Sequence, residues 1–192
     1  MKFLYYPWKK GKAISQYFGT NPEIYKPFGI NGHNGWDIAM EDGTPVRAAH
    51  DGVVVYTGIE AKEGMGVVIR TDAQYLYEGK LTYFKTIYWH NRYPDGIKVK
   101  VGDKVRAGDI ISFSDNTGFS SGPHLHFGLK PIAQGENEWT WSNYSQNNGF
   151  NGAIDPGPYF NAIYAEDIPK IISLSTALVA ALEKLIALLK RR

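Results

Sequence analysis

The chain of 192 residues contains no cysteine. Disulfide staples, thiolate metal sites and thiol nucleophiles are therefore excluded, and any metal must sit on His, Asp or Glu. Histidine is scarce, with five residues at 33, 50, 90, 124 and 126. A formal net charge of +2 lacks the strong basic balance of a nucleic-acid binder, though a mild excess suits an acidic polymer. The segment from Met1 to Lys10 lacks the apolar run of roughly 7 to 15 residues that a secretory leader needs, so the sequence itself gives no instruction for export. A membrane span wants about 20 mostly apolar residues, and Glu183 and Lys184 interrupt the most apolar segment, which disfavours spanning.

What is present reads as a globular protein with one main core, at 43% hydrophobic and 21% charged residues. From Lys12 to Ile38 the recurrence of Gly and Pro precludes a long helix. Short β-branched runs follow at 44–49, 52–57, 66–71 and 81–90, and KVKVGDKVRAGDI around 98–111 adds two more. The fold class expected is mainly β, an antiparallel sheet with a C-terminal α-helix. Residues 131–158 read as a long polar loop carrying Trp139, Trp141 and Tyr144, the kind of loop that walls a binding groove. After residue 164 the character changes: Ile171, Leu174, Leu178, Leu182, Leu185 and Leu189 recur at helical spacing, with Lys190, Arg191 and Arg192 at the end. The organisation expected is a domain over 1–163 and an amphipathic helix over 164–192. Burial of the apolar face against the parent domain is the first expectation for that helix, followed by self-association and contact with an anionic membrane surface.

The histidines concentrate in short glycine-bounded phrases. His33 and Asp37 are four apart around Gly35, and His124 and His126 flank Leu125 in a segment that reads as a strand. Strand alternation puts both rings of the pair on one face. Catalytic zinc takes three ligands from His, Asp or Glu and keeps a position for water, and His33, Asp37 and one of the His124/His126 pair fill that set. The other member of the pair and His90 remain for proton transfer. Spacing does not distinguish His124 from His126. His50, in a turn before a strand, reads as structural. Tyr88, two residues before His90, is expected on the same strand face, as a hydrogen-bond donor to the site or as a core tyrosine.

The phrases GHNGWDIA (32–39), GTPVRAAHDGVV (43–54), YWH (88–90), VGDKVRAGDII (101–111) and GPHLHFGL (122–129) resemble the lysostaphin/LytM-type zinc metallopeptidases, peptidase family M23. The likeness runs from about Gln16 to Phe160. It implies an antiparallel β fold crossed by an open groove with loop walls, and an endopeptidase that hydrolyses peptide bonds of bacterial peptidoglycan. It also implies one Zn2+ on His33, Asp37 and His126, with His90 and His124 as the catalytic histidines. Trp36, Trp89, Trp139 and Trp141, with Tyr88, are the expected groove residues. Without an export leader, such a peptidase resembles a phage endolysin, made in the cytoplasm and released to the cell wall by a holin-like partner or carried on a virion. A metal-free wall-binding module is the alternative reading, disfavoured by the intact histidine set. The VGDKVRAGDII phrase is shared with biotinyl and lipoyl carrier domains, but the modified-lysine hairpin those need is missing.

Overall fold

The computed structural model describes residues 1–132 and 147–189. In chain order the strands are β1 (Leu4–Tyr6), β2 (Ile14–Gln16), β3 (Trp36–Ala39), β4 (Pro45–Arg47), β5 (Gly52–Glu60), β6 (Gly64–Thr71), β7 (Tyr75–Tyr77) and β8 (Lys80–Asn91). There follow β9 (Lys104–Val105), β10 (Ile110–Phe113), β11 (His124–Ile132) and β12 (Phe160–Tyr164). A short helix, α1 (Pro22–Tyr25), lies in the Gly- and Pro-rich segment, and α2 (Ile168–Leu189) closes the described chain.

The main sheet runs β2-β3-β11-β8-β6-β5-β9, with β7 beside β8, and its pairings are antiparallel. Two small pairs, parallel β1-β12 and antiparallel β10-β4, complete the architecture. The two faces of the sheet follow from alternation along β11. Leu125, Phe127 and Leu129 point inward and are fully buried against Phe84, Tyr88, Ile38 and Phe160. Each such aliphatic or aromatic burial contributes roughly 1.5–3 kcal/mol. Leu4, Val46 and Ile111 from the small pairs join the same cluster, so the main sheet and the small pairs share one core.

His124, His126 and Lys130 point to the other face, which is an open groove of about 1010 Å³. Ile87 and Trp89 line it from β8, and Gly66 on β6 leaves room for the indole, since a Cβ there would overlap Trp89. Ile24, Tyr25 and Phe28 line one side, and Lys62 and Phe119 contribute from other loops. Lys62 Nζ stands 4.7 Å from the centre of the Phe28 ring.

The C-terminal helix forms where its spacing places it, but its apolar face is not docked. Leu174 and Leu178 are each 62% exposed, and Ile172, Val179, Leu182, Leu185 and Ile186 are about half exposed. The expectation of burial against the domain is corrected: the chain meets the domain at buried Ala165 and near Gly108, then projects away from it. The pattern encodes which side chains are apolar and not what covers them. No helix of the described residues is long and apolar enough to cross a membrane.

Candidate active site

Three strands and one loop deliver the site. Residues 31–35 lead into β3, which pairs with β11 so that Asp37 lies opposite His126. His33 is 1% exposed, held by backbone bonds from its own N–H to Thr20 O (2.9 Å) and from Gly19 N–H to its carbonyl (2.8 Å). The chain crosses close over the His126 ring at Gly35, where a Cβ would stand 2.6 Å from Phe127 O and 2.8 Å from the imidazole. Only a residue without a side chain fits that crossing.

His33 Nε2, Asp37 Oδ1 and His126 Nδ1 converge at separations of 3.1 Å, 2.9 Å and 3.0 Å. Burial pushes the Asp37 carboxyl up, but hydrogen bonds from His126 and His33 and their charge outweigh it and hold it far below the usual carboxylate range. Burial holds His126 below the ordinary imidazole value, with Asp37 opposing in part. One ligand atom from each of the three side chains thus faces a common point, and two imidazole nitrogens with one carboxylate oxygen form a donor set that suits a divalent metal cation. Ligand atoms of tetrahedral zinc with bonds of ~2.0–2.1 Å stand roughly 3.3 Å apart, a few tenths of an ångström from the observed triangle.

His90 and His124 stand beside this cluster with ring centres 4.4 Å apart. Their Nδ1 atoms face carbonyl oxygens, Thr117 O at 2.7 Å and Gly122 O at 2.8 Å. A carbonyl only accepts, so each Nδ1 carries a proton, and in the neutral ring the lone pair is on Nε2. His124 Nε2 lies 3.7 Å from Asp37 Oδ1. Burial, then the adjoining His124, pushes His90 down to about 4, so it is neutral at pH 7.

The aromatic expectations divide. Trp89 lines the groove beside His90. Trp36 does not: it neighbours Asp37 on β3, alternation turns it to the opposite face, and its ring packs near Trp8 and Phe160 while Nε1 donates to Asp155 at 3.0 Å. Tyr88 is likewise corrected from the site to the core. It is fully buried, and its hydroxyl accepts from Ala49 N–H (2.9 Å) and pairs with Thr86 Oγ1 (3.0 Å). Strand alternation from Tyr88 to His90 fails because Val67 pairs with Tyr88 whereas Met65 pairs with Asn91, which leaves one extra residue on β8. His90 takes φ 63° at that bulge and turns to the groove. Trp139 and Trp141 lie outside the described residues. His50 is buried, donating from Nδ1 to Asp51 O (2.9 Å) and accepting at Nε2 from Thr86 Oγ1 (2.8 Å).

Sequence reasoning missed Tyr25 and the carbonyl of Thr117. Tyr25 lines the groove 5.3 Å from the His33 ring, its hydroxyl on Gln16 Oε1 at 3.2 Å. Burial and then Asp37 push it up to about 12. Neither residue carries a sequence signal, since one sits in a four-residue helix and the other acts through its backbone.

Comparison with known proteins agrees with this geometry. Residues 31–138 match peptidase family M23. The chain is 36% identical over 125 residues to the glycyl-glycine endopeptidase ALE-1 of Staphylococcus capitis, covering 62% of this chain and 28% of that protein. It is 43% identical over 97 residues to the peptidoglycan DD-endopeptidase ShyA of Vibrio cholerae, covering 50% and 20%. Among solved structures, a zinc containing peptidase from Vibrio cholerae superposes with a TM-score of 0.57 at 28% identity, over 81% of this chain and 39% of that one. The chain spans less than a third of the length of these curated relatives. With the matched segment covering more than half of its length and carrying the His33, Asp37 and His126 cluster, the chain belongs to peptidase family M23.

Proposed function

We propose that the chain is a zinc-dependent endopeptidase that hydrolyses peptide bonds in bacterial peptidoglycan. The observation that carries this reading is the convergence of His33, Asp37 and His126 beside the His90 and His124 pair in one open groove. The naming of ALE-1 and ShyA as wall endopeptidases supports the substrate class. His33 Nε2, Asp37 Oδ1 and His126 Nδ1 would hold Zn2+, which when bound supplies a Lewis acid for a carbonyl and acidifies a water. The chain's own part is proton handling. The Nε2 lone pairs of His90 and His124 face the groove, and either accepts the proton of the attacking water and returns it to the leaving amine. Once protonated, the same N–H stabilises the oxyanion that develops on the substrate carbonyl. Trp89 on the floor excludes water from one side of a bound peptide.

The reading includes delivery to the wall in the manner of a bacteriolytic phage endolysin, with release by a holin-like route or on the virion. Helix α2, whose aliphatic side chains stand in solvent, supports an added contact with a second copy or an anionic membrane surface. Mass in solution and liposome binding of the chain with and without residues 168–192 distinguish these.

The test is digestion of purified peptidoglycan by the zinc-loaded chain, read by mass spectrometry of the fragments. Walls with glycine bridges and walls with direct D-Ala to diaminopimelate links, run side by side, identify the bond cut. Release of new amino termini is expected, and its persistence in His126→Ala or after removal of metal by chelator would refute the proposal.

A further inference from the structure

We infer that Asn91 and Thr117 form a clamp that positions His90 for proton transfer, an inference that rests on the function proposed above. The left-handed backbone at His90, φ 63°, is one that a non-glycine residue adopts only under strain, so the surroundings must over-determine it. A set of hydrogen bonds from Asn91, Ser112 and Thr117 does so. The fully buried Asn91 side chain spans the bulge from inside: Nδ2 donates to Tyr88 O at 2.7 Å and to Met65 O at 3.1 Å. Those two carbonyls lie on the two strands that fall out of step at this point. Ser112 Oγ donates to Asn91 Oδ1 at 2.6 Å and fixes the amide's orientation. Every hydrogen-bonding direction is then set, with the donor end on β6 and β8 and the acceptor end on β10.

Thr117 closes the clamp from the other side. Its hydroxyl donates to Asn91 O at 2.7 Å and accepts from Met65 N–H at 3.0 Å, which ties the loop before β11 to both strands of the bulge. Its carbonyl is the acceptor for His90 Nδ1. The loop approaches so closely that a Cβ on Gly64 would overlap the Thr117 carbonyl, and Gly64 has φ 71°. The His90 main chain is bonded as well, its carbonyl to Asp115 N–H at 2.9 Å and its N–H to Glu63 O at 3.3 Å. Without the clamp, β8 can run on in regular alternation. His90 would then follow Tyr88 towards the core, the placement that period-two reasoning expects. Asn91 and Thr117 touch neither the cluster nor the groove, so they are positioning residues that act through His90.

The experiment uses the zinc-loaded full chain and three variants. Asn91→Asp keeps the shape but sets an acceptor against two carbonyls, Thr117→Val removes the hydroxyl and keeps the carbonyl, and Ser112→Ala removes only the bond that orients the amide. On solubilised peptidoglycan, kcat is expected to fall about 10- to 100-fold in Asn91→Asp and about 3- to 10-fold in the other two, the scale of a small misplacement of a catalytic group. KM stays within about threefold, and one zinc per chain is retained. The His90 imidazole N–H resonance, assigned by its loss in His90→Ala, is expected to shift or broaden in Asn91→Asp and Thr117→Val. Wild-type kcat and an unmoved resonance in both would overturn the clamp. If the wild-type chain hydrolyses nothing, the proposed function fails and the resonance alone judges the clamp. Should Asn91→Asp not fold, the same two readouts in Thr117→Val and Ser112→Ala decide it.

Discussion

Replacing Tyr88 by Phe removes one oxygen atom from the core and separates two roles that strand alternation alone would confuse. In the structure the Tyr88 hydroxyl sits in a buried relay: Ala49 N–H donates to it, it is hydrogen-bonded to Thr86 Oγ1, and Thr86 Oγ1 is hydrogen-bonded to His50 Nε2. Loss of the oxygen strands the Ala49 N–H, at a cost of about 1–3 kcal/mol, whereas the Thr86 hydroxyl keeps His50 as an acceptor. The ring still fills its space against Phe127, at a centroid distance of 5.4 Å, so no cavity term is added. The expected loss is about 2 kcal/mol. For a domain of this size that lowers Tm by roughly 4–8 °C. Urea denaturation of the zinc-loaded protein, followed by tryptophan fluorescence, measures the loss, and hydrolysis of solubilised peptidoglycan measures activity. Activity within about twofold of wild type is expected, because the hydroxyl lies on the core side of the sheet. A tenfold or larger fall in kcat with unchanged stability would refute the reasoning and return Tyr88 to the site.

Other outcomes follow from the same geometry. His50, fully buried and pushed down to about 4 by that burial, stays neutral in the folded state while the unfolded chain takes up a proton near pH 6.5. Its contribution is therefore complete above pH 6.5 and is lost as pH falls from 6.5 towards 4, about 3 kcal/mol in all. The slope of stability against pH in that window should be smaller in His50→Gln than in wild type, and equal slopes would exclude His50 as a source. Gly35→Ala forces a methyl against the His126 ring, so zinc affinity measured by competition with a chelator should fall about 10- to 100-fold, the effect of disturbing a ligand's support; unchanged affinity would show that the crossing can relax. Removing residues 168–192 takes away a helix whose aliphatic face is exposed, so the unfolding free energy of the remainder should change by no more than about 0.5 kcal/mol. A larger loss would mean that the helix docks.

The legible parts of the fold were those where one local rule held along a whole element. The His-x-His strand obeys period two from His124 to Leu129, so its faces could be read directly. The same rule applied to Trp36 and Asp37 separates them, and Trp36 could have been assigned to the core on that ground. On β8 the rule holds through Trp89 and then fails at an inserted residue, whose cause lies in Asn91 and Thr117 contacts that no neighbour in sequence announces. The parallel β1-β12 pair joins segments more than 150 residues apart through strands of three and five residues, too short for a periodic signal. Helix α2 was legible as a helix because its repeat is long. Its exposure was not, because amphipathicity specifies a face without specifying a partner.

The proposed mechanism divides the labour on one strand, with His126 on the metal and His124 on the proton. Zinc per chain, measured by mass spectrometry in His124→Ala together with its rate of peptidoglycan hydrolysis, tests this most directly. One zinc per chain with turnover reduced about 100-fold or more is expected. Loss of the zinc, or turnover close to that of wild type, would contradict it.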